Sequence, residues 1–422
     1  MKIRLICTLF LSCVFLSDAF AETVRIEPLS EKLTLDGKLT EKIWQRKADV
    51  DKFYLYGVTP KNFKGVDTKV YFTYDKDFIY VGARCQEPEM NKIKLSARKT
   101  DEPAWQDDAL EIFFAPSEKN PNYVQIVINA DGVVFDLYKK FPGTSESDIA
   151  WNSGAVCKTF KGKDFWSLEA KIPLVNLPVD APEGNWKFHI ARSRACTGEA
   201  YSFVKGIKSF HDIEKFYILS GIKIPGLTLT VKDYDPGEGQ YGTNRARVVL
   251  KNWSSKKVAA TISSSGFETT NYIPPKTTQV LHYEWVQPFD KIQCNHTAVV
   301  SEGKKILRRL SLKKELNTPF VDERKVVFFL EQNKVVKVTV PLCITTITQQ
   351  KSQIRWSVRD LKGSVMCSGL TAVRNKRALL RLFWSFMTPG RYKLDLALIV
   401  NDKVVSTTTR DLRLLNSPFQ GI

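Results

Sequence analysis

The sequence predicts an all-β protein built from an N-terminal β-sandwich followed by two immunoglobulin-like β-sandwich domains. Three observations carry the prediction. Apolar and polar residues alternate at a period of two, as in Val70, Phe72 and Tyr74. The alternating runs are short and are separated by turn residues, such as Asp75-Lys76-Asp77 and Ala130-Asp131-Gly132. From Leu227 onward, two blocks repeat one strand rhythm with no helical period, each of about a hundred residues, the size of one immunoglobulin-like sandwich. A chain of 422 residues is too long for one ordinary sandwich and suits two or three domains.

Taken in order, the chain opens on Met1-Lys2-Ile3-Arg4, an apolar run from Leu5 to Leu16, and Ala19-Phe20-Ala21. That is the layout of a signal peptide with a small-x-small cleavage site, so 1–21 is read as a leader and the mature protein as starting at Glu22. Cys13 carries no lipid in this reading, because Phe10 replaces the expected Leu and the residues after Cys13 stay apolar. No later stretch reaches the roughly twenty apolar residues of a bilayer span, so no transmembrane segment is expected. The destination is secreted, periplasmic or cell-surface. A short helix is predicted over Glu41 to Arg46, capped by Thr40 and stapled by Leu39 against Trp44, which makes Trp44 core. Strands follow at Val70 to Tyr74 and Ile79 to Ala83, then a hairpin joins Tyr123–Asn129 to Val133–Tyr138. Trp151 and Trp166 fall in strand rhythm and read as core.

Between these strands the segment from Pro103 to Phe114 sets an aromatic ring, Trp105, and three carboxylates, Asp107, Asp108 and Glu111, at the mouth of a predicted strand. A sugar needs that combination: the C–H face of a pyranose lies on an indole, and its hydroxyls need charged or amide partners to replace lost water. Trp105 follows Pro103-Ala104 in a loop, where a large ring is less easily explained as core. Glu111 is equally open to capping a strand end or pairing with Lys171.

The net charge of +18 is uneven, because residues 225–422 carry 31 basic against 15 acidic side chains while the first half is near balance. The step marks a seam near residue 225, and Thr318-Pro319 marks a second. The domain boundaries are therefore 1–21, 22–224, 225–317 and 318–422. The basic half leaves an anionic cell-surface polymer as a partner, although the scattered Lys and Arg also read as solvated strand faces and edge protection. An exported chain with few clustered basic residues is not expected to bind nucleic acid. Of eight cysteines, Cys7 and Cys13 leave with the leader. The other six have no metal spacing, and they read as free thiols or as pairs, with Cys343 and Cys367 one intra-domain candidate.

A glycosidase needs two carboxylates facing each other across a cleft. Neighbouring carboxylates on one strand cannot flank a glycosidic bond, since Asp107 and Glu111 point to one side and Asp108 to the other. There is no nucleophile elbow, phosphate loop or histidine pair at metal spacing. His189, His211, His282 and His296 are isolated and read as structural or solvated.

Several stretches in order resemble the carbohydrate-binding module family 9 domain of the DOMON-like superfamily, over 23–222. They are Leu35-Asp36-Gly37 with Trp44, Thr68 to Asp75 with Ile79-Tyr80-Val81, and Trp105 to Phe113. Gln125 to Asn129 with Gly132, Phe165 to Leu174, Phe188 to Arg192, and Phe210-His211-Asp212 before Phe216 complete the series. The resemblance implies a β-sandwich in which two rings clamp a terminal sugar: Trp105 falls on the first ring position and Phe210 on the second, with Glu111 on the hydroxyl-accepting carboxylate and Gln125 and Arg192 near further polar positions. It implies no cofactor, and structural calcium at Asp107 and Asp108 would be a variation on a role known for other loops of the family. Heme, bound by some relatives through methionine, is not expected, because Met90 is the only methionine in the mature first domain.

These readings point to an exported, non-catalytic protein that binds the ends of poly- or oligosaccharides, as an accessory to polysaccharide degradation. The alternatives are an extracellular interaction or adhesion protein with a degenerate sugar site, and a glycan-processing enzyme.

Overall fold

Alternating apolar and polar residues bury one face of each strand, and the computed structural model pairs these faces into sandwiches. It describes residues 22–57, 66–117, 121–140, 148–149, 151–321, 335–383 and 387–414; the leader predicted over 1–21 lies outside the described residues. The protein is nearly all β.

Among the described residues the first unit contains twelve strands: β1 (Thr23–Arg25), β2 (Tyr54–Leu55), β3 (Thr68–Tyr74), β4 (Phe78–Gln86), β5 (Ala109–Ala115), β6 (Tyr123–Asn129), β7 (Val134–Lys139), β8 (Val156–Lys161), β9 (Phe165–Pro173), β10 (Trp186–Arg194), β11 (Glu199–Ser202) and β12 (Tyr217–Ser220). One sheet runs β1-β12-β10-β5-β6-β7, with β11 added beside β10 and β2 beside β11, and it faces a second sheet ordered β3-β4-β9-β8. Phe72, Val81 and Leu168 from one sheet meet Ile112, Ile126 and Ile190 from the other in a shared core that also holds Trp151 and Trp166. The expected hairpins form, β3 with β4 and β6 with β7. In the first, the Asp75 carboxylate accepts the amides of Asp77 and Phe78 at 2.8 and 2.7 Å, which closes the turn.

The predicted helix at Glu41–Arg46 shrinks to a 3-10 turn, Lys42–Trp44, with Glu41 and not Thr40 at its N-cap. Leu39 adopts φ +58°, so the chain leaves the extended path where a capping threonine was expected. The staple contact survives, since Leu39 and Trp44 are buried together with Tyr71 and Tyr80. Glu169 on β9 anchors the segment by accepting the Asp36 and Gly37 amides, both at 2.7 Å, and the Trp44 indole N–H at 2.8 Å.

The next strands are β13 (Leu229–Asp235), β14 (Gly242–Asn252), β15 (Val258–Ser264), β16 (Phe267–Ile273), β17 (Thr278–Gln287), β18 (Gln293–Glu302) and β19 (Lys305–Glu315). They form sheets β13-β14-β17 and β16-β15-β18-β19 around one core. The last six, β20 (Val335–Pro341), β21 (Ser352–Arg359), β22 (Val365–Arg374), β23 (Arg377–Phe383), β24 (Gly390–Val400) and β25 (Lys403–Leu414), follow the order β20-β23-β22-β21-β24-β25 around another. Cys85, Cys157, Cys196, Cys294, Cys343 and Cys367 are free thiols, so Cys343 and Cys367 are not joined. No helix among the described residues is long and apolar enough to cross a membrane.

Candidate functional site: the outer face of the eight-stranded sheet

Inward residues of β5 fill the core, so its odd-numbered residues, Ala109, Glu111, Phe113 and Ala115, point outward. Two aromatic clusters cover the ends of this outer face. At one end Phe113, Tyr123 and Phe216 pack beneath Val204, Ile207 and Ile213, with Phe210 partly buried against them. At the other, Val127, Phe135 and Leu137 pack beneath Ala97 and Ala104.

Trp105 belongs to the second end. It sits in a 3-10 turn, Ala104–Gln106, stands 42% exposed, and meets Phe135 edge-on at 4.3 Å and 65°. Phe210 belongs to the first end, half-buried, 4.4 Å from the ring of Tyr56 and 5.6 Å from His189. Glu111 lies between the two clusters in sequence and register, pairing with Val127 on β6 and Ala191 on β10. It is only 5% exposed and accepts hydrogen bonds from Gln125 Nε2 at 2.8 Å and Ser193 Oγ at 3.0 Å. Burial pushes its carboxyl above the usual range, while those two donors offset part of the rise. Lys171, the alternative partner considered for Glu111, lies on the other sheet beside the ring of Phe78.

Arg192 does not join this face. It pairs with Leu110, a core residue, so strand alternation turns it inward, away from Glu111. Fully buried there, it donates to Thr68 Oγ1 at 2.9 Å and the Gln86 carbonyl at 2.6 Å, and ion-pairs with Glu87 at 3.3 Å. Glu87 also takes a two-pronged grip from Arg194, both contacts at 2.7 Å. Ser193, one residue on, is the β10 side chain that reaches Glu111, and sequence reasoning missed it. The signal that finds it is the β5–β10 register.

Asp107 and Asp108 hold the Trp105 turn in place. Asp107 accepts the amides of Ser96 and Ala97 at 2.6 and 2.9 Å and the side-chain amide of Asn129 at 2.9 Å. Asp108 accepts the amides of Lys94 and Cys196 at 2.7 and 3.1 Å and the Cys196 thiol at 3.2 Å. All four oxygens receive donors within the chain, so these carboxylates serve the local structure. Glu87, Asp108 and Cys196 do bring ligand atoms within 4.8 Å of one another, but the arginines engage Glu87, and burial pushes the Cys196 thiol up to about 12.

His189 and His296 are buried packing residues, whereas His211 and His282 are exposed. His189 stacks on Phe113 at 5.4 Å with neither ring nitrogen bonded, and burial pushes it down to about 3. His211 Nδ1 lies 2.7 Å from the Tyr123 hydroxyl, and His296 Nε2 lies 2.8 Å from that of Tyr283.

No curated protein matches this chain. Among solved structures, a carbohydrate binding module family 9 from Caldicellulosiruptor kristjanssonii in complex with cellotriose shares 16% identity, covering 49% of this chain and 96% of that one at a TM-score of 0.34. The module in complex with glucose gives 17%, 46%, 94% and 0.33. A putative carbohydrate-binding protein from Bacteroides uniformis gives 12%, 47%, 99% and 0.36. The family model described as "Carbohydrate family 9 binding domain-like" matches residues 35–194. On that match, the part of this chain that holds Trp105, Glu111, Gln125 and Ser193 is a carbohydrate family 9 binding domain-like domain.

Proposed function

We propose that the first sandwich binds the end of a poly- or oligosaccharide on the outer face of its eight-stranded sheet, that it does so without catalysis, and that the chain is exported to do it. The observation that carries this is the half-exposed Trp105 ring beside a face whose polar centre is Glu111, Gln125 and Ser193. Trp105 offers a stacking surface for the C–H face of a sugar, and Phe210 offers a second at the far cluster. Glu111 would set which hydroxyl geometry is accepted, and Gln125 and Ser193 would fix its orientation. Asp107 and Asp108 are engaged in holding the loop, which argues against their use as a catalytic pair.

A small open site leaves affinity in the range of about micromolar to millimolar, because many hydroxyls must be desolvated. A glycan array followed by calorimetry on the selected sugar tests the reading. Trp105→Ala should weaken binding about tenfold or more, since ring stacking contributes on the order of 1.5 kcal/mol. Sugar binding that survives Trp105→Ala unchanged would place the site elsewhere. Release of shortened products would make the chain an enzyme.

One observation favours an adhesion protein with a degenerate sugar site. Glu111 is 5% exposed and both its oxygens are already bonded within the chain, so a sugar hydroxyl must displace or share those donors. A protein that binds other proteins and no glycan on the array would decide for that reading.

A further inference from the structure

The hairpin β22–β23 is tightly paired only at its turn, where Val373 faces Ala378 and Arg374 faces Arg377. Below the turn β22 pairs with β21, whereas β23 pairs with β20. The two strands separate and leave a groove of about 730 Å³ along the last sandwich. Its lining includes Arg374, Arg377 and Arg381, with exposed Leu370, Leu379 and Phe383, and contains no acidic residue. Arg355 adds a fourth guanidinium beside it, directly across from Leu370. Among the described residues none of these four arginines has a carboxylate partner, although Arg359 on the same sheet is paired with Asp395.

We propose that this groove binds an acidic polysaccharide, a chain of uronic-acid type, as a second site on the same molecule. The outward side of β23 reads Arg377, Leu379, Arg381, Phe383, so cationic and apolar groups alternate along one line. Arg377 and Arg381 stand about 13 Å apart at strand spacing, which suits a polymer carrying carboxylates at intervals. A guanidinium fork matches a carboxylate, while Leu379 and Phe383 suit the apolar faces of the intervening sugars and Thr339 and Ser368 offer hydroxyl contacts. A concave groove between strands accepts a linear chain more readily than a flat bilayer. Single-stranded nucleic acid would want several stacking rings, and the outward groove residues include one, Phe383. The choice of a glycan over other polyanions rests on the carbohydrate reading of the first domain.

Calorimetry of the full chain with polygalacturonate, against fully methyl-esterified polygalacturonate, tests this. Wild type should bind the acidic polymer, prefer it over the ester, and lose affinity as salt rises. Arg374→Gln with Arg377→Gln and Arg381→Gln should weaken binding about tenfold or more. Leu379→Glu, which places an acid on an exposed strand position, should do the same without removing any arginine. Trp105→Ala should leave polygalacturonate binding intact, so failure of the first site and failure of this one are read separately. The proposal is overturned if wild type does not bind polygalacturonate, if the arginine and Leu379 variants bind it as wild type does, or if the ester binds equally well. Binding to phosphatidylserine vesicles or single-stranded DNA in place of polygalacturonate would overturn it too.

Discussion

Glu111 shows how one buried side chain ties a site to stability. Its carboxyl is raised by burial, so the folded chain holds that proton more tightly than the unfolded chain. The associated stability is fully present below the unfolded value and is lost as pH rises through the folded one. Glu111→Gln removes the ionisation, so the variant's melting temperature should gain on wild type as pH goes from about 4 to about 8. A constant difference across that range would refute the assignment. His189 has the opposite sign, because burial pushes it down to about 3 from the ordinary imidazole value of 6.5. Its neutral ring favours folding at neutral pH, and that advantage drains away as pH falls from 6.5 towards 3, by roughly 1.4 kcal/mol per unit at most. Replacement by Phe, which suits neighbours Phe113, Phe210 and Phe216, should flatten acid unfolding in a denaturation series.

At the scale of elements, the clearest dependence is that of the N-terminal segment on β9. Glu169 is fully buried and satisfies two backbone amides and the Trp44 indole at once. Glu169→Ala would leave two buried donors and one part-buried donor without their acceptor, a loss on the order of 3 kcal/mol. Chemical denaturation should register that loss, and a change under about 1 kcal/mol would show that water replaces the carboxylate. Gly37 is part of the same device: its φ is +83°, and a Cβ there would lie 2.5 Å from the Thr159 carbonyl carbon. The turn thus needs glycine for two reasons, backbone conformation and close approach to β8.

Across the whole molecule, the three cores are joined by specific contacts. Lys140 reaches the Asp233 carboxylate at 3.2 Å, and Lys232 reaches Asp180 at 2.8 Å, linking the first unit to the second. The second meets the third through a parallel bridge of Tyr241 with Ile344 and through the Thr243 amide, which donates to Thr348 Oγ1 at 2.9 Å. Gly242 sits at this joint with φ +91°, and a Cβ there would stand 2.0 Å from that same oxygen. Gly242→Ala should therefore loosen the joint while sparing the first domain. Differential scanning calorimetry should show the late-unfolding or early-unfolding transition of the last units shift by several degrees, with the first-domain transition unmoved. A single unshifted transition would mean that Thr348 simply rotates away.

Strand alternation, turn residues and the absence of helical period determined the all-β class, the hairpins at Asp75–Asp77 and Ala130–Gly132, and the core positions of Trp44, Trp151 and Trp166, because each follows from local spacing alone. The loop ahead of β5 also marked Trp105 as a ring hard to explain as core, and it stands half-exposed. Tertiary structure decided what faces Glu111. β5 and β10 are some eighty residues apart, and a shift of one residue in their register would exchange Ser193 for Arg192. That register is set by packing of the whole sheet against its partner, which no local pattern encodes. The same holds for Asp107 and Asp108, whose acidity suggested a ligand site until the fold supplied backbone amides and the Cys196 thiol as donors to their oxygens.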